Sequence, residues 1–359
     1  MFVRPKKPVA EVPVRVSLKE LGFRFDIRDG LLREIGTQKP YKHEYFGNDK
    51  TKNAALYDKL IQTAPRKVAL LLESDKDLCM EPIAVPDLNQ PHCNIYATPG
   101  ALSKDCLVVI VNGNGNFCGV WGWNILVKRG LRPGSVIEYA RECVKRGFGV
   151  LVLNPNENVC GPDGITDTFN TCSRYVTSIE GSETPEDHVG YVWSRIIRES
   201  KAEKVVFVAY NTAGIAVTDL LRYDFDRFTK KTVGIAYIDS AHAVFQLGPE
   251  HLAWLSMAAK QWESSNEPDG MAILNSRAGC PTVSVSNTTG HREMAPSICM
   301  NSVLAYAEQC FERGATIIDT SELSLDESID DSTLSAIQNI QIVEPLAPDQ
   351  PSDGYIGWE

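Results

Sequence analysis

The sequence lacks any apolar run that approaches the roughly 20 residues of a membrane-spanning helix. Its first residues, with Arg4, Lys6 and Lys7 set among prolines and valines, also lack the apolar segment of a secretory signal peptide. These two absences argue against a membrane protein and against a secreted one. We therefore expect a soluble protein of the nucleus, the cytoplasm or both.

The cysteine spacing of a zinc site is also missing. None of the ten cysteines forms a C-x-x-C pair, which is the spacing typical of structural zinc sites. A chain that does not enter an oxidising compartment keeps its thiols reduced. We therefore expect free cysteines, no metal site and no cofactor.

The chain as a whole has fewer basic residues than acidic ones. The sequence has 36 Lys and Arg against 46 Asp and Glu, a formal net charge of −10. Binding to nucleic acid needs clustered Lys and Arg that contact phosphates. The composition therefore argues against nucleic-acid binding by the body of the protein, although the basic N-terminal arm leaves direct RNA binding as an alternative.

What the chain does have is a series of short, largely apolar runs separated by helical patterns. The runs predict five buried strands, at residues 107–111, 149–153, 205–210, 232–238 and 281–286. Helices are predicted between them, at residues 135–146, 185–200 and 213–221. Because such an alternation indicates a parallel sheet covered on both faces, the expected class is α/β. We expect a three-layer, α/β-hydrolase-like fold with a mostly parallel central sheet and an N-terminal hairpin extension.

The chain divides into four predicted segments. Residues 1–16 are a basic, proline-rich arm, and residues 17–100 are an N-terminal extension packed on the core. Residues 101–318 are the α/β-hydrolase-like core, and residues 319–359 are an acidic tail that we expect to be flexible.

The extension has three recognisable parts. Asp29-Gly30 between two alternating runs predicts a hairpin. Residues 53–78 show a helical period that Pro65 is expected to interrupt, since proline lacks the backbone N–H. Residues 79–100 are predicted to be a polar connection to the core.

The most specific local pattern is the strand at residues 205–210 followed by Asn211-Thr212-Ala213-Gly214 and a helix. This order is that of the nucleophile elbow, in which a sharp strand-to-helix turn exposes the reactive side chain. The nucleophile position falls on Asn211, which tolerates a positive φ but has no proton whose removal leaves a useful nucleophile. Thr212 has the adjacent hydroxyl but lies one position late. The sequence thus predicts the strand-to-helix turn of an elbow, but no nucleophile at its apex.

Two later positions follow the remaining order of a hydrolase triad, acid and then histidine. Asp239 ends the next strand, and His291 follows the last predicted strand. Asp239 could instead be a helix cap, and His291 could be a surface residue. His242 is a rival base, and Ser240 is a rival, displaced nucleophile.

The loop after the first core strand occupies the place of a hydrolase oxyanion loop. It contains Asn112, Gly113 and Asn114, and Thr212 at the elbow is grouped with them. The alternative is that its glycines serve only a tight turn.

Several segments resemble the Argonaute-binding-protein-two domain family, which includes animal cotranscriptional regulators and a domain attached to some histone deacetylases. The most specific are N-P-N-E-N at residues 154–158 and T-P-E-D-H-V-G-Y-V-W at residues 184–193. Shorter matches lie at residues 109–115, 206–214 and 239–242, and the resemblance covers about residues 17–312. It implies the α/β-hydrolase-like fold and a role in small-RNA-guided silencing or cotranscriptional regulation, with Argonaute or chromatin and transcription-associated proteins as partners.

This chain departs from the family pattern in two motifs that hydrolysis would use. Members often carry H-G-x-G in the first loop and H-S-x-G-G at the elbow, whereas this chain has Asn112 and Tyr210-Asn211 there. We therefore expect a non-catalytic scaffold that acts through protein–protein contacts. The alternative is a hydrolase or small-ligand-binding protein that uses His291 and Asp239 without a serine nucleophile.

Overall fold

A computed structural model of the protein describes residues 16–113, 115–161, 166–167, 176–274, 277–286, 290 and 292–316. The basic arm up to residue 15, the acidic tail, Asn114 and His291 lie outside the described residues. What the sequence predicts for them stays a prediction.

The strands are β1 (Phe23–Phe25), β2 (Leu32–Glu34), β3 (Glu81–Val85), β4 (Cys93–Ala97), β5 (Cys106–Val111), β6 (Gly149–Val152), β7 (Val159–Cys160), β8 (Thr166–Asp167), β9 (Thr177–Ser178), β10 (Lys204–Tyr210), β11 (Thr232–Ile238), β12 (Ala259–Ser265) and β13 (Thr282–Ser286). The helices are α1 (Lys50–Ser74), α2 (Trp123–Arg129), α3 (Leu131–Gly134), α4 (Ile137–Lys145), α5 (Pro185–Val192), α6 (Ala213–Tyr223), α7 (Phe225–Lys231), α8 (Pro249–Ala258) and α9 (Ala295–Arg313).

Eight of these strands form the central sheet, in the order β13-β12-β11-β10-β5-β6-β4-β3. The six strands from β13 to β6 are parallel, whereas β4 runs antiparallel to β6, and β3 runs antiparallel to β4. At the centre, Phe207 of β10 pairs with Val109 on one side and Ile235 on the other. The predicted mostly parallel sheet is confirmed.

Helices cover both faces of this sheet because its strands are apolar on both sides. Val206 and Val208 of β10 pack in the core beneath α1, α4 and α9. Val205 and Phe207 point the other way, into the core formed with α5, α6 and α8. The alternation of one strand between two cores produces the three layers of the predicted α/β-hydrolase-like fold.

The N-terminal hairpin is also confirmed, since β1 and β2 pair antiparallel. Phe23 and Leu32 are buried in the core, and the backbone N–H of Leu131 donates to the carbonyl of Gly30 at 2.9 Å. The hairpin is thereby attached to α3.

Two predictions for the extension were wrong. The supposed connection at residues 79–100 contains β3 and β4, which extend the sheet by two antiparallel strands. Helix α1 also continues through Pro65, which is buried. Its apolar face, with Leu60, Val68 and Leu72 fully buried, stabilises the helix despite the hydrogen bond that a proline removes.

A parallel strand was missed as well. β12 lies between β11 and β13, so the strand predicted as the fifth is the sixth of the parallel set. Separately, no helix among the described residues is long and apolar enough to cross a membrane. Eight cysteines of the described ranges are free thiols: Cys79, Cys93, Cys106, Cys118, Cys143, Cys280, Cys299 and Cys310. No cluster of potential metal ligands is found within those ranges.

Candidate functional site

The elbow predicted from the sequence is present, with Asn211 at its apex. Asn211 has a φ of +53°, in the left-handed region that asparagine tolerates better than most residues. Its backbone N–H donates to the carbonyl of Ile238 at 2.9 Å, and its carbonyl accepts from the backbone N–H of Ala241 at 3.1 Å. The turn is therefore held against the carboxyl end of β11.

Close packing around the elbow leaves no room for side chains at two glycines. A Cβ on Gly214 would lie 1.8 Å from Ser240 Oγ. A Cβ on Gly113 would lie 2.6 Å from the carbonyl oxygen of Tyr210 and 2.6 Å from Thr212 Oγ1. The loop after β5 thus touches the elbow from one side, and the loop after β11 touches it from the other.

Asn112, at the position of the family's oxyanion-loop histidine, serves its own loop. It is fully buried, and its Nδ2 donates to the carbonyls of Asn116 and Phe117 at 3.0 and 3.2 Å. Asn116 in turn donates to the carbonyls of Gly113 and Trp121 at 3.0 and 3.2 Å. These side chains fix the backbone of the loop.

The N-P-N-E-N segment at residues 154–158 forms hydrogen bonds to the backbone of the same loop. Asn156 Nδ2 donates to the carbonyls of Asn112 and Asn116 at 3.3 and 3.0 Å. Asn154 Nδ2 donates to the carboxylate of the largely buried Glu157 at 2.7 Å. The segment that carries much of the family resemblance is therefore buried and holds backbone in place.

His188 is a buried member of this support that the sequence did not single out. Its Nε2 accepts a hydrogen bond from the backbone N–H of Asn154 at 3.1 Å, so the ring proton is on Nδ1, which donates to Ser182 Oγ at 2.8 Å. Complete burial lowers the pKa of His188 to about 3, and the imidazole is neutral at physiological pH. The only available sequence signal was its place in the T-P-E-D-H motif.

Asp239, predicted as the triad acid, ends β11 with a φ of +42°. Its Oδ1 accepts from the backbone N–H of Ser264 and its Oδ2 from the Ser264 hydroxyl, each at 2.6 Å. Burial raises the pKa of this carboxyl above its ordinary value, although the two hydrogen bonds from Ser264 act in the opposite direction. Asp239 therefore joins β11 to β12.

Ser240 and His242 form the pair that resembles a nucleophile and base. His242 Nε2 lies 2.8 Å from the carbonyl of Ala278, so this nitrogen carries the ring proton. His242 Nδ1 then accepts from Ser240 Oγ at 2.8 Å. The His242 ring stacks on Tyr237 at a centroid separation of 3.9 Å, and burial lowers its pKa.

A cavity of about 480 Å³ opens beside the elbow. The described residues that line it are Asn211, Asp239, Ser240, His242, Gln261, Glu263, Ile273, Leu274, Arg277, Ala278 and Arg292. Ser240 has the only hydroxyl in this set. The structure thus brings Asn211 and Asp239 to one cavity, while the predicted His291 is outside the described residues. Asn112, Gly113 and Thr212 are not among the residues that line the cavity.

Comparison with known proteins gives one family match. The model of the Arb2 domain matches residues 15–269. A chicken protein named cotranscriptional regulator ARB2A homolog is 26% identical over 357 residues, which cover 87% of this chain and 84% of that protein. The mouse cotranscriptional regulator ARB2A is 26% identical over 310 residues, or 73% of this chain and 74% of that one.

Among solved structures, a histone deacetylase chain from Saccharomyces cerevisiae aligns with a TM-score of 0.43 and 9% sequence identity. The alignment covers 71% of this chain and 98% of that chain.

Proposed function

Because the chain belongs to the Arb2 domain family, we propose that it is a non-catalytic scaffold in gene regulation that acts through protein–protein contacts. The names of its relatives support a cotranscriptional role, and we propose that it acts in the nucleus, the cytoplasm or both. Argonaute and chromatin or transcription-associated proteins are the partners that the family resemblance favours.

The observation that carries the non-catalytic part is Asn211 at the apex of an intact elbow. The backbone geometry that would expose a nucleophile is retained, with a φ of +53°. A carboxamide cannot replace a serine or cysteine in acyl transfer because it forms no useful nucleophile on proton removal. The strand-to-helix turn of the elbow is therefore present, but Asn211 at the position of the nucleophile does not support acyl transfer.

A binding measurement with purified proteins tests the scaffold proposal. The immobilised full chain is presented with purified Argonaute and, separately, with nucleosomes, and Asn211→Gly serves as the matched variant. Glycine adopts the positive φ without strain and removes only the side chain. We expect a partner to bind both forms equally. Absence of binding to every candidate would remove the partner assignment, and binding that depends on Asn211 would show that the elbow itself is the contact.

Hydrolysis is the second candidate, favoured by the 2.8 Å hydrogen bond from Ser240 Oγ to His242 Nδ1. Serine with a neutral imidazole is a familiar nucleophile and base. Incubation with a fluorophosphonate probe, followed by peptide mass spectrometry, distinguishes the two candidates. A covalent adduct on Ser240 that His242→Gln abolishes would establish hydrolase chemistry at Ser240, and an unlabelled Ser240 would exclude it.

A further inference from the structure

We propose that the cavity beside the elbow binds a small molecule that has an anionic group at one end and an ammonium group at the other. The inference goes beyond the scaffold proposal, because binding of this kind needs neither a nucleophile nor a protein partner. It is carried by two sets of side chains on the cavity wall, one of cations and one of acceptors.

The first set is cationic. Arg277 and Arg292 both line the cavity with exposed side chains, and neither forms an ion pair with a described residue. Arginine suits carboxylates and phosphates because its planar guanidinium donates two parallel hydrogen bonds to a pair of anionic oxygens. Two such groups facing one cavity provide a site for the anionic end of a ligand.

The second set consists of acceptors and is more deeply placed. Gln261 is only 5% exposed, and its Nε2 donates to Glu263 Oε2 at 3.0 Å. That contact fixes the orientation of the amide and leaves Gln261 Oε1 as a buried acceptor with no hydrogen-bond partner among the described residues. Buried polar atoms without partners are uncommon in folded proteins, but this one has almost no accessible surface, so the acceptor that a ligand in the cavity can reach is the Glu263 carboxylate.

The negative charge of a carboxylate in the cavity wall favours an ammonium group as the hydrogen-bond donor of the ligand. Glu263, half-buried, contributes a carboxylate to the same wall, whereas the oxygens of Asp239 already accept from Ser264. A cationic donor makes a stronger hydrogen bond with a carboxylate than a hydroxyl does. The volume of about 480 Å³ lies within the usual range of small-molecule sites.

Isothermal titration calorimetry on the full chain tests the site with four probes. Phosphoethanolamine carries both groups, and glycerol 3-phosphate replaces the ammonium by hydroxyls. Inorganic phosphate carries only the anionic group, and ethanolamine carries only the ammonium group. We expect saturable binding of phosphoethanolamine, weaker binding of glycerol 3-phosphate, and weaker binding still of phosphate or ethanolamine alone. Equal binding of phosphoethanolamine and inorganic phosphate, or no binding of either two-ended probe, would overturn the proposal.

Variants locate the binding within the molecule. The double variant Arg277→Gln with Arg292→Gln should weaken phosphoethanolamine by at least about tenfold, since two charge-assisted contacts are lost. Both side chains are exposed, so the fold should survive, as circular dichroism can verify. Glu263→Gln should weaken phosphoethanolamine but not phosphate, because it removes the carboxylate that accepts from the ammonium group. Arg132→Gln, an exposed arginine beside the N-terminal hairpin, is the control, and an equal loss there would also overturn the proposal.

Discussion

Asp239 accepts two hydrogen bonds from Ser264, one from its backbone N–H and one from its hydroxyl, and both are 2.6 Å long. The residue predicted as the acid of a hydrolase triad therefore fastens one strand of the parallel sheet to the next. In a working triad this carboxylate orients the imidazole that serves as the base. Here the elbow has Asn211 at its apex, and the carboxylate of Asp239 is engaged by the neighbouring strand.

Restoring a serine at the elbow should therefore not restore catalysis. We expect Asn211→Ser to show no hydrolysis of p-nitrophenyl acetate above the wild-type chain, because the carboxylate of Asp239 is engaged by Ser264. The variant should also be slightly less stable, by about 1 kcal/mol, since serine tolerates a φ of +53° less well than asparagine. A rate that rises clearly with Asn211→Ser would mean that the remaining catalytic groups are still in place.

Because the loop after β5 approaches the backbone of the elbow closely, we expect a single added methyl group there to reduce stability. Gly113→Ala should reduce the free energy of unfolding by roughly 1–3 kcal/mol, because its Cβ would meet backbone of the elbow at 2.6 Å. Gly190→Ala is the matched control within α5, where a Cβ meets nothing within 4 Å. The control should be neutral or stabilising, as alanine favours helices over glycine. Urea denaturation of both variants measures the difference, and equal effects would contradict the described packing.

The asparagine network should matter to stability as well. Asn156→Ala removes the donor to the carbonyls of Asn112 and Asn116 and leaves buried acceptors without it. We expect a loss of roughly 1–3 kcal/mol in the free energy of unfolding. Asn89→Ala, an exposed asparagine, should change it by less than about 0.5 kcal/mol. Thermal melting of the two variants provides the comparison. A melting temperature that Asn156→Ala leaves unchanged would show that the network does not stabilise the fold.

His188 predicts a pH dependence of stability. Its pKa is about 3 in the folded chain because of burial, against an ordinary value of about 6.5. Below about pH 6.5 the unfolded chain takes up a proton that the folded chain does not, so the stability associated with His188 is complete above that pH and is lost as the pH falls towards about 3. The slope approaches about 1.4 kcal/mol per pH unit.

Urea denaturation of wild type and His188→Gln at about pH 7.5 and about pH 5 measures this effect. The variant is expected to be less stable than wild type at the higher pH, with a gap that narrows at the lower pH. A gap that stays constant would show that His188 is protonated in the folded chain or exposed to solvent.

Much of the fold could be predicted because its central strands are unusual in sequence. The wholly apolar run at residues 107–111 has few alternatives to a strand buried on both faces. β3 and β4 contain Pro82, Asn94 and a charged residue, which is typical of antiparallel strands near a sheet edge, and such strands resemble loops in composition. β12 follows α8 without a break, so no turn residue separates helix from strand in the sequence.

The candidate site could be predicted in part for the same physical reasons. Asn211 and Asp239 follow strands, and the carboxyl ends of parallel strands meet at one edge of the sheet. No such signal marks Gln261, Glu263 and Arg277. These residues meet at the cavity only because of where β12 and the loop before β13 lie, and the sequence does not specify those positions. His188 was equally hidden, since a histidine in a helix carries no mark of burial.

A reporter assay tests the central claim most directly, that the protein regulates without chemistry at the elbow. The chain is tethered to the promoter region of a reporter gene, nascent transcript is measured, and wild type is compared with the double variant Asn211→Gly with Ser240→Ala. This variant removes the apex side chain and the only hydroxyl among the described residues of the cavity wall. We predict that both forms change transcript output to the same extent. Loss of the effect in a variant that folds and accumulates like wild type would contradict the account, because regulation would then depend on the side chains at the elbow.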